Sequence, residues 1–543
     1  LDEKQGRDAV SLFLAKYGDQ YLYNKYRDGV QSGGRIEQVN LFIIVAIFIL
    51  LIACINFINL STAQAAFKTR EVGIRKTLGA SRISLMSQYF IESTLLGLFA
   101  LATAVGLVWL LIPQFNAVSN KEITLLFDSR LLVTGLSLVL LVGIAAGSYP
   151  AFYLSGIKIL SVLKPGAFLL KSNGNARRAL VVAQFAIAIV LISGTLMVRK
   201  QMDYVQQSNL GYDRENVVYF EREGKLLQET DAFLSEMGNI PGVQSAACSG
   251  FVIGGANSTA GISWEGKTDD DRLEFLETRC AYGSLEVLGV ELLEGRMFSN
   301  SYGNDSSSII FNETAIQEMG ISNPIGKTVR HYSGNKKIIG VVKDFNMQSM
   351  HTRVSPAFFL FDPEETLFVM AKINKGTELN SIRQIAKTYE AFNPGYPFQP
   401  YFLDQDYTAL YKSETQVATL SGYFAALAIL ISCLGLFGLV TFTNQKRQKE
   451  IGIRKVLGSG TWKIVLLITK DFTGMVLLAI IIAVPLSYIA GKQWLENFAY
   501  RIEPEWWWYA LVGLCALTIS WLTVGAQTFK AATANPAESL KDE

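Results

Sequence analysis

The chain has 543 residues, of which 50% are hydrophobic and 18% charged, with a formal net charge of +2. So little charge cannot coat a soluble protein of this size, and a near-neutral chain offers no bulk attraction for nucleic acid. The apolar residues are concentrated in runs free of Asp, Glu, Lys and Arg, each near the roughly 20 residues that cross a bilayer core.

Seven such runs occupy residues 38–67, 93–120, 131–157, 179–198, 415–445, 472–491 and 506–529. Each is predicted helical, because hydrocarbon gives a free backbone amide no partner. After the first run, Lys68, Arg70, Arg75, Lys76 and Arg82 stand against Glu71 alone. The gap before the third is balanced, with Lys121, Glu122, Asp128 and Arg130. The linker 158–178 carries Lys158, Lys164, Lys171, Arg177 and Arg178 and no acid. Between the fifth and sixth runs, Lys446, Arg447, Lys449, Arg454, Lys455 and Lys463 face Glu450. The last gap mixes Lys492 and Arg501 with Glu496, Glu503 and Glu505. The positive-inside bias places the basic segments in the cytoplasm and residues 201–414 outside. Trp506, Trp507, Trp508 and Tyr509 then fall at the outer interface, and Arg199 can snorkel to it. The N-terminus is also outside, which predicts a further span upstream of Leu1.

The inserted segment reads as mixed α/β and is large enough to bury its own core. Strands are predicted at 216–223, 243–248, 273–279, 308–311, 336–342, 357–361 and 367–373, and helices at 226–240, 312–319 and 379–392. It shows no catalytic triad, paired carboxylates or metal-ligand cluster, and the chain's two histidines are His331 and His351. Cys248 and Cys280 lie here, either bonded or free, whereas Cys54, Cys433 and Cys515 sit in apolar runs as small packing residues. Residues 320–328 approach a phosphate-binding loop, but five residues separate Gly320 from Gly326, where such a loop has four. Pro324 also removes an amide, so a turn before a strand is the expected structure.

The chain repeats itself at an offset of 379 residues. Glu71, Gly73, Ile74, Arg75, Lys76, Leu78 and Gly79 recur as Glu450, Gly452, Ile453, Arg454, Lys455, Leu457 and Gly458. Ile52 and Cys54 recur as Ile431 and Cys433, and the acid Glu92 as Asp471. Glu92 and Asp471 are expected at the cytoplasmic ends of their spans, facing water or paired with a nearby base. Both segments read as cytoplasmic loops punctuated by glycines, and topology requires only positive charge in such a loop, in any order. A fixed order of acid, glycine, apolar and basic residues, occurring twice, points to a shaped surface that docks a partner.

These two segments resemble the cytoplasmic coupling segments of the MacB/FtsX-type ABC transporter permeases. The runs GYDRENVV (211–218), NPIGK (323–327) and GVVKDF (340–345) resemble that family's periplasmic core domain, residues 407–414 its exit helix, and NPAESL (535–540) its C-terminal tail. The resemblance implies an α-helical integral membrane protein of the bacterial inner membrane, with seven spans in two parallel repeats and a mixed α/β extracytoplasmic domain. Its parts would be the tail of a first periplasmic domain (1–37), a three-span permease domain (38–157), a cytoplasmic linker (158–178), a single span (179–200), a periplasmic core domain (201–414), a second three-span domain (415–530) and a cytoplasmic tail (531–543). Against the large duplicated subgroup, the first span and most of the first domain are missing. The implied function is that of a permease subunit with no ATPase site or cofactor of its own. ATP and magnesium would be held by a partner ATPase docked on the fourteen repeated residues. Its closure would be transmitted to the periplasmic side to export a drug, a peptide or a lipid-linked substrate. Membrane lipid and a periplasmic adaptor or outer-membrane channel are the further implied partners, and nucleic acid is not. The alternative is a regulatory scaffold that activates an envelope hydrolase or senses an envelope ligand.

Overall fold

A computed structural model of the chain describes residues 14–27, 30–125, 128–155, 174–251, 254, 258–268 and 273–533. The linker residues 158–173 and the tail 535–540 lie outside them. The chain divides into two compact units. One comprises Leu1–Arg199, Gln416–Lys492 and Pro504–Glu543, and the other Lys200–Thr415 with Gln493–Glu503.

In chain order, the antiparallel hairpin β1 (Lys25–Arg27) and β2 (Val30–Gly33) precedes the helices α1 (Ile36–Thr77), α2 (Arg82–Ser119), α3 (Ser129–Ser155) and α4 (Gly174–Gln207). The inserted segment contributes α5 (Thr230–Gly238), α6 (Ser284–Val287), α7 (Glu313–Met319), α8 (Glu378–Phe392) and α9 (Leu403–Leu410). Then come α10 (Lys412–Lys446), α11 (Gln448–Val456), α12 (Thr461–Leu495) and α13 (Trp506–Thr533). Among the described residues six helices are long and apolar enough to span a membrane, where the sequence predicts seven. The seventh predicted run falls on α3, within which Ser129–Ile144 forms a shorter apolar helix. The most apolar window of α2 has a mean hydropathy of 2.5 and is 0% buried within the chain.

In this unit the best-packed core lies among α4, α10, α12 and α13, around Phe185, Ile189, Val440, Val476, Val512 and Val524. The repeat-related helices α1 and α10 touch through Asn56, whose side-chain amide donates to the Ile431 carbonyl (3.2 Å). Gly435 makes this approach possible, since a Cβ there would collide with Asn56. Trp506 and Trp507 remain exposed as the outer interface requires, whereas Trp508 and Tyr509 are buried in protein, a correction to the expected aromatic belt.

The second unit is built on one mixed sheet, in the order β13–β3–β12–β4–β6–β11–β8–β10–β7, with β5 on β6 and β9 on β10. Its strands are β3 (Val217–Glu221), β4 (Val243–Ser249), β5 (Ser258–Ala260), β6 (Phe275–Cys280), β7 (Leu292–Gly295), β8 (Ser308–Asn312), β9 (Thr328–His331), β10 (Gly334–Val342), β11 (Ala357–Phe361), β12 (Phe368–Ile373) and β13 (Tyr401–Phe402). The β8–β10 and β6–β11 pairs are parallel and the rest antiparallel. Successive side chains on a strand point to opposite faces. Val217 and Tyr219 of β3 therefore join one core, and Val218 and Phe220 the core on the other side. A third cluster, around Phe275, Phe311 and Phe358, covers the β8–β11 end.

The same alternation settles the cysteines. Ser249 pairs with Cys280 across β4 and β6, so Cys248, one residue along, faces the opposite side. Both are free thiols, and both are buried. Burial pushes the Cys248 thiol up to about 11, against a small opposing pull from Arg222. The helix expected at 226–240 is split into a 3-10 turn, Gly224–Leu227, and α5. Residues 320–328 do form a turn into β9, with the Lys327 ammonium donating to the Ser322 carbonyl (2.7 Å).

Candidate coupling site

The repeated segments, expected as loops, are helical. α1 runs unbroken for 42 residues through the first segment, and α11 carries the second after a break at Arg447. The correction has a simple cause: Glu, Lys, Arg, Gln and Ala favour helix, and only the glycines stop it. Gly79 and Gly458 adopt φ of +93° and +86°. No atom would meet a Cβ at either position, so the left-handed backbone alone calls for glycine.

Each glycine closes a Schellman cap. In the first segment the Ala80 amide donates to the Arg75 carbonyl (2.9 Å) and the Gly79 amide to that of Lys76 (3.1 Å). In the second, Ser459 donates to Arg454 (2.9 Å) and Gly458 to Lys455 (3.1 Å). These bonds satisfy carbonyls that a helix end leaves open. One turn earlier, Glu71 pairs with Arg75 at 2.6 Å and Glu450 with Arg454 at 2.8 Å. Both pairs are spaced four residues apart and about half exposed, so each adds only about 0.3–0.5 kcal/mol to its helix.

The side-chain exposure also repeats. Val72 and Gly73 are buried, as are Ile451 and Gly452. Ile451 belongs to the helix core beside Ile464 and Ile468 of α12, which anchors α11 by its inner face. On the outer face, Ile74 and Leu78 are 54% and 82% exposed, and Ile453 and Leu457 are 53% and 80% exposed. Lys76 and Lys455 are half-buried, and Lys76 is held below the usual ammonium range by burial and by nearby Arg82. All fourteen repeated residues thus lie on two short helix ends of matching form.

The copies differ at their edges. The Arg75 guanidinium donates to Gln88 of α2 (2.7 Å), whereas the residue 379 positions later is Leu467. Asp471, the counterpart of Glu92, pairs with Arg447 at 3.2 Å, as expected for an acid near the aqueous interface. The sequence reading missed Gln88 and the inward anchors Val72 and Ile451. An apolar residue between the acid and the glycine of both copies was the signal for the anchors.

Apolar helices, an extracytoplasmic sheet domain and two matched basic helix ends define a duplicated membrane permease. The FtsX-like permease C-terminal model matches residues 43–159 and 422–536, and the MacB-like periplasmic core domain model matches residues 179–389. The chain belongs to the MacB/FtsX-type ABC transporter permeases, multi-pass proteins of the inner membrane. It is 29% identical over 156 residues to the macrolide export ATP-binding/permease protein MacB of Escherichia coli, covering 28% of this chain and 24% of that protein. It is 27% identical over 150 residues to the uncharacterized ABC transporter permease YknZ of Bacillus subtilis, covering 27% of this chain and 37% of that one. The chain thus aligns with well under half the length of these relatives. Among solved structures, the periplasmic region of MacB from Actinobacillus actinomycetemcomitans aligns with 38% of this chain and 97% of its own, at 14% identity and a TM-score of 0.28.

Proposed function

We propose that the ends of α1 and α11 dock a separate ATPase and that the chain passes the motion of that ATPase to its extracytoplasmic domain. One observation carries this reading: the ridges Ile74–Leu78 and Ile453–Leu457 are exposed, four residues apart on a helix and beside Arg75, Lys76, Arg454 and Lys455. The adjacent charges keep these ridges out of hydrocarbon. Apolar ridges at this spacing fit a groove on a partner, and burying each side chain contributes about 1.5–3 kcal/mol. The E. coli relative is named as an ATP-binding/permease protein, and ATP and magnesium would be held by the ATPase that docks on these helix ends. As an unbroken rod of 42 residues, α1 is about 60 Å long and transmits displacement along its axis. The substrate need not cross the lipid, and a periplasmic adaptor or outer-membrane channel would complete an export route.

Affinity purification of the full chain in detergent tests this. A small ATP-binding subunit should co-elute and be lost when Arg75, Lys76, Arg454 and Lys455 are all changed to Glu. An intact complex after charge reversal would refute the docking. Loss of drug or peptide tolerance on deletion marks an exporter, whereas a cell-wall defect with unchanged efflux marks the regulatory scaffold.

A further inference from the structure

Behind α11, at the cytoplasmic ends of α10 and α13, lies a cavity of about 250 Å³. Its size approaches the lower end of small-ligand sites, about 300 Å³. Four carboxamides line it, from Asn444, Gln445, Gln448 and Gln527, together with the ammonium groups of Lys455 and Lys530. Among the described residues its lining includes no Asp or Glu. Asn444 is only 5% exposed, and its Oδ1 has no hydrogen-bond partner. An unsatisfied buried oxygen is costly, so a ligand that donates to it would be favoured there. The polar lining is not a general property of the repeat. At the positions matching Asn444, Gln445 and Gln448, the first copy has Ala65, Ala66 and Thr69.

The Lys530 ammonium, with Lys455 in the same lining, selects an anion, and the Asn444 oxygen selects a hydrogen-bond donor. We propose that the cavity binds a phosphate group that carries such a donor, the chemistry shared by a phospholipid headgroup such as phosphatidylglycerol and by free hydrogen phosphate. The Lys530 ammonium would hold phosphate oxygens through charge-assisted hydrogen bonds, with a hydroxyl directed at Asn444. Lys530 lies in the last turn of α13 and Asn444 near the end of α10, the depth at which inner-leaflet headgroups lie. Lys455 is shared with the docking surface, whereas Lys530 and Asn444 are not, so the test rests on these two.

The test is native mass spectrometry of the delipidated full chain titrated with phosphatidylglycerol, paired with thermal unfolding in inorganic phosphate. Lys530→Ala and Asn444→Leu should each weaken phosphatidylglycerol binding about tenfold or more, the loss of one strong hydrogen bond. Lys530→Arg should retain it. Lys463→Ala removes a cytoplasmic charge outside the cavity and should bind like the parent. If inorganic phosphate raises the melting temperature only when Lys530 is present, and phosphatidylglycerol does not compete, the phosphate comes from solution. Equal losses in Lys463→Ala and Lys530→Ala would reduce the effect to net charge and overturn the site. Absence of binding by either probe in the parent protein would overturn it as well.

Discussion

Single residues set the hard limits of this fold. Gly79→Ala and Gly458→Ala place an L side chain at a left-handed φ, and each should destabilise by about 1–2 kcal/mol, read by thermal unfolding in detergent. In the extracytoplasmic unit, Asp305 is 1% exposed and accepts from the Arg296 guanidinium (2.9 and 2.6 Å), the Ser299 amide and the Ser308 hydroxyl. Burial alone would raise its carboxyl, but these partners outweigh it and hold it below 3.8. Asp305→Asn should cost about 2–3 kcal/mol, because Arg296 is left without its counter-charge. Burial holds the His331 ring below 6.5, with Glu277 at 3.7 Å pulling the other way. The folded protein therefore disfavours the protonated ring. Stability from His331 is complete above pH 6.5 and falls as acid charges the unfolded chain. Stability from Asp305 is present above pH 3.8 and is lost only as pH falls through its lower folded value. Melting temperature against pH should thus begin to fall below 6.5, and His331→Phe should remove that first decline.

At the scale of elements, the ridges can be tested apart from folding. Leu78→Asp with Leu457→Asp should abolish ATPase co-purification yet leave the melting temperature nearly unchanged, since both side chains are already about four-fifths exposed. The sequence revealed the elements whose pattern is strong. The strand predicted at 357–361 is β11 itself, and those near 216–223, 308–311 and 367–373 match β3, β8 and β12 within three residues at either end. The short β5, β7, β9 and β13 escaped, because two to four residues show no usable alternation and β7 is exposed throughout. The fourteen repeated residues were legible as a set, but not their helical form. Reading two glycines as loop punctuation missed that one belongs to the helix body and the other to its cap. The polar cavity was not legible, since the adjoining ends of α10 and α11 are completed by α13, far along the chain.

Across the whole molecule, the two helix ends must share a compartment opposite the inserted domain. Cysteines introduced at Gly79 and Gly458 should react with a membrane-impermeant maleimide only in inverted vesicles, and one at Asn304 only in intact cells or spheroplasts. Labelling of Gly79 and Gly458 from different sides would overturn the topology. The outer segment Gln493–Glu503 belongs to the extracytoplasmic unit. There the fully buried Gln201 amide donates to the Tyr500 carbonyl (2.9 Å) and accepts from the Ile502 amide (3.0 Å). Gln201→Ala should expose this segment to protease, because two buried backbone groups lose their partner.

The twin caps have one more consequence. Plugs cast from the same mould call for identical sockets, so a motor assembled from two equal subunits can seat one on each and pull both with the same force. Such a grip cannot distinguish left from right. Any bias in such a stroke would then arise where the casts differ, at Gln88 against Leu467 and at Ala65, Ala66 and Thr69 against Asn444, Gln445 and Gln448.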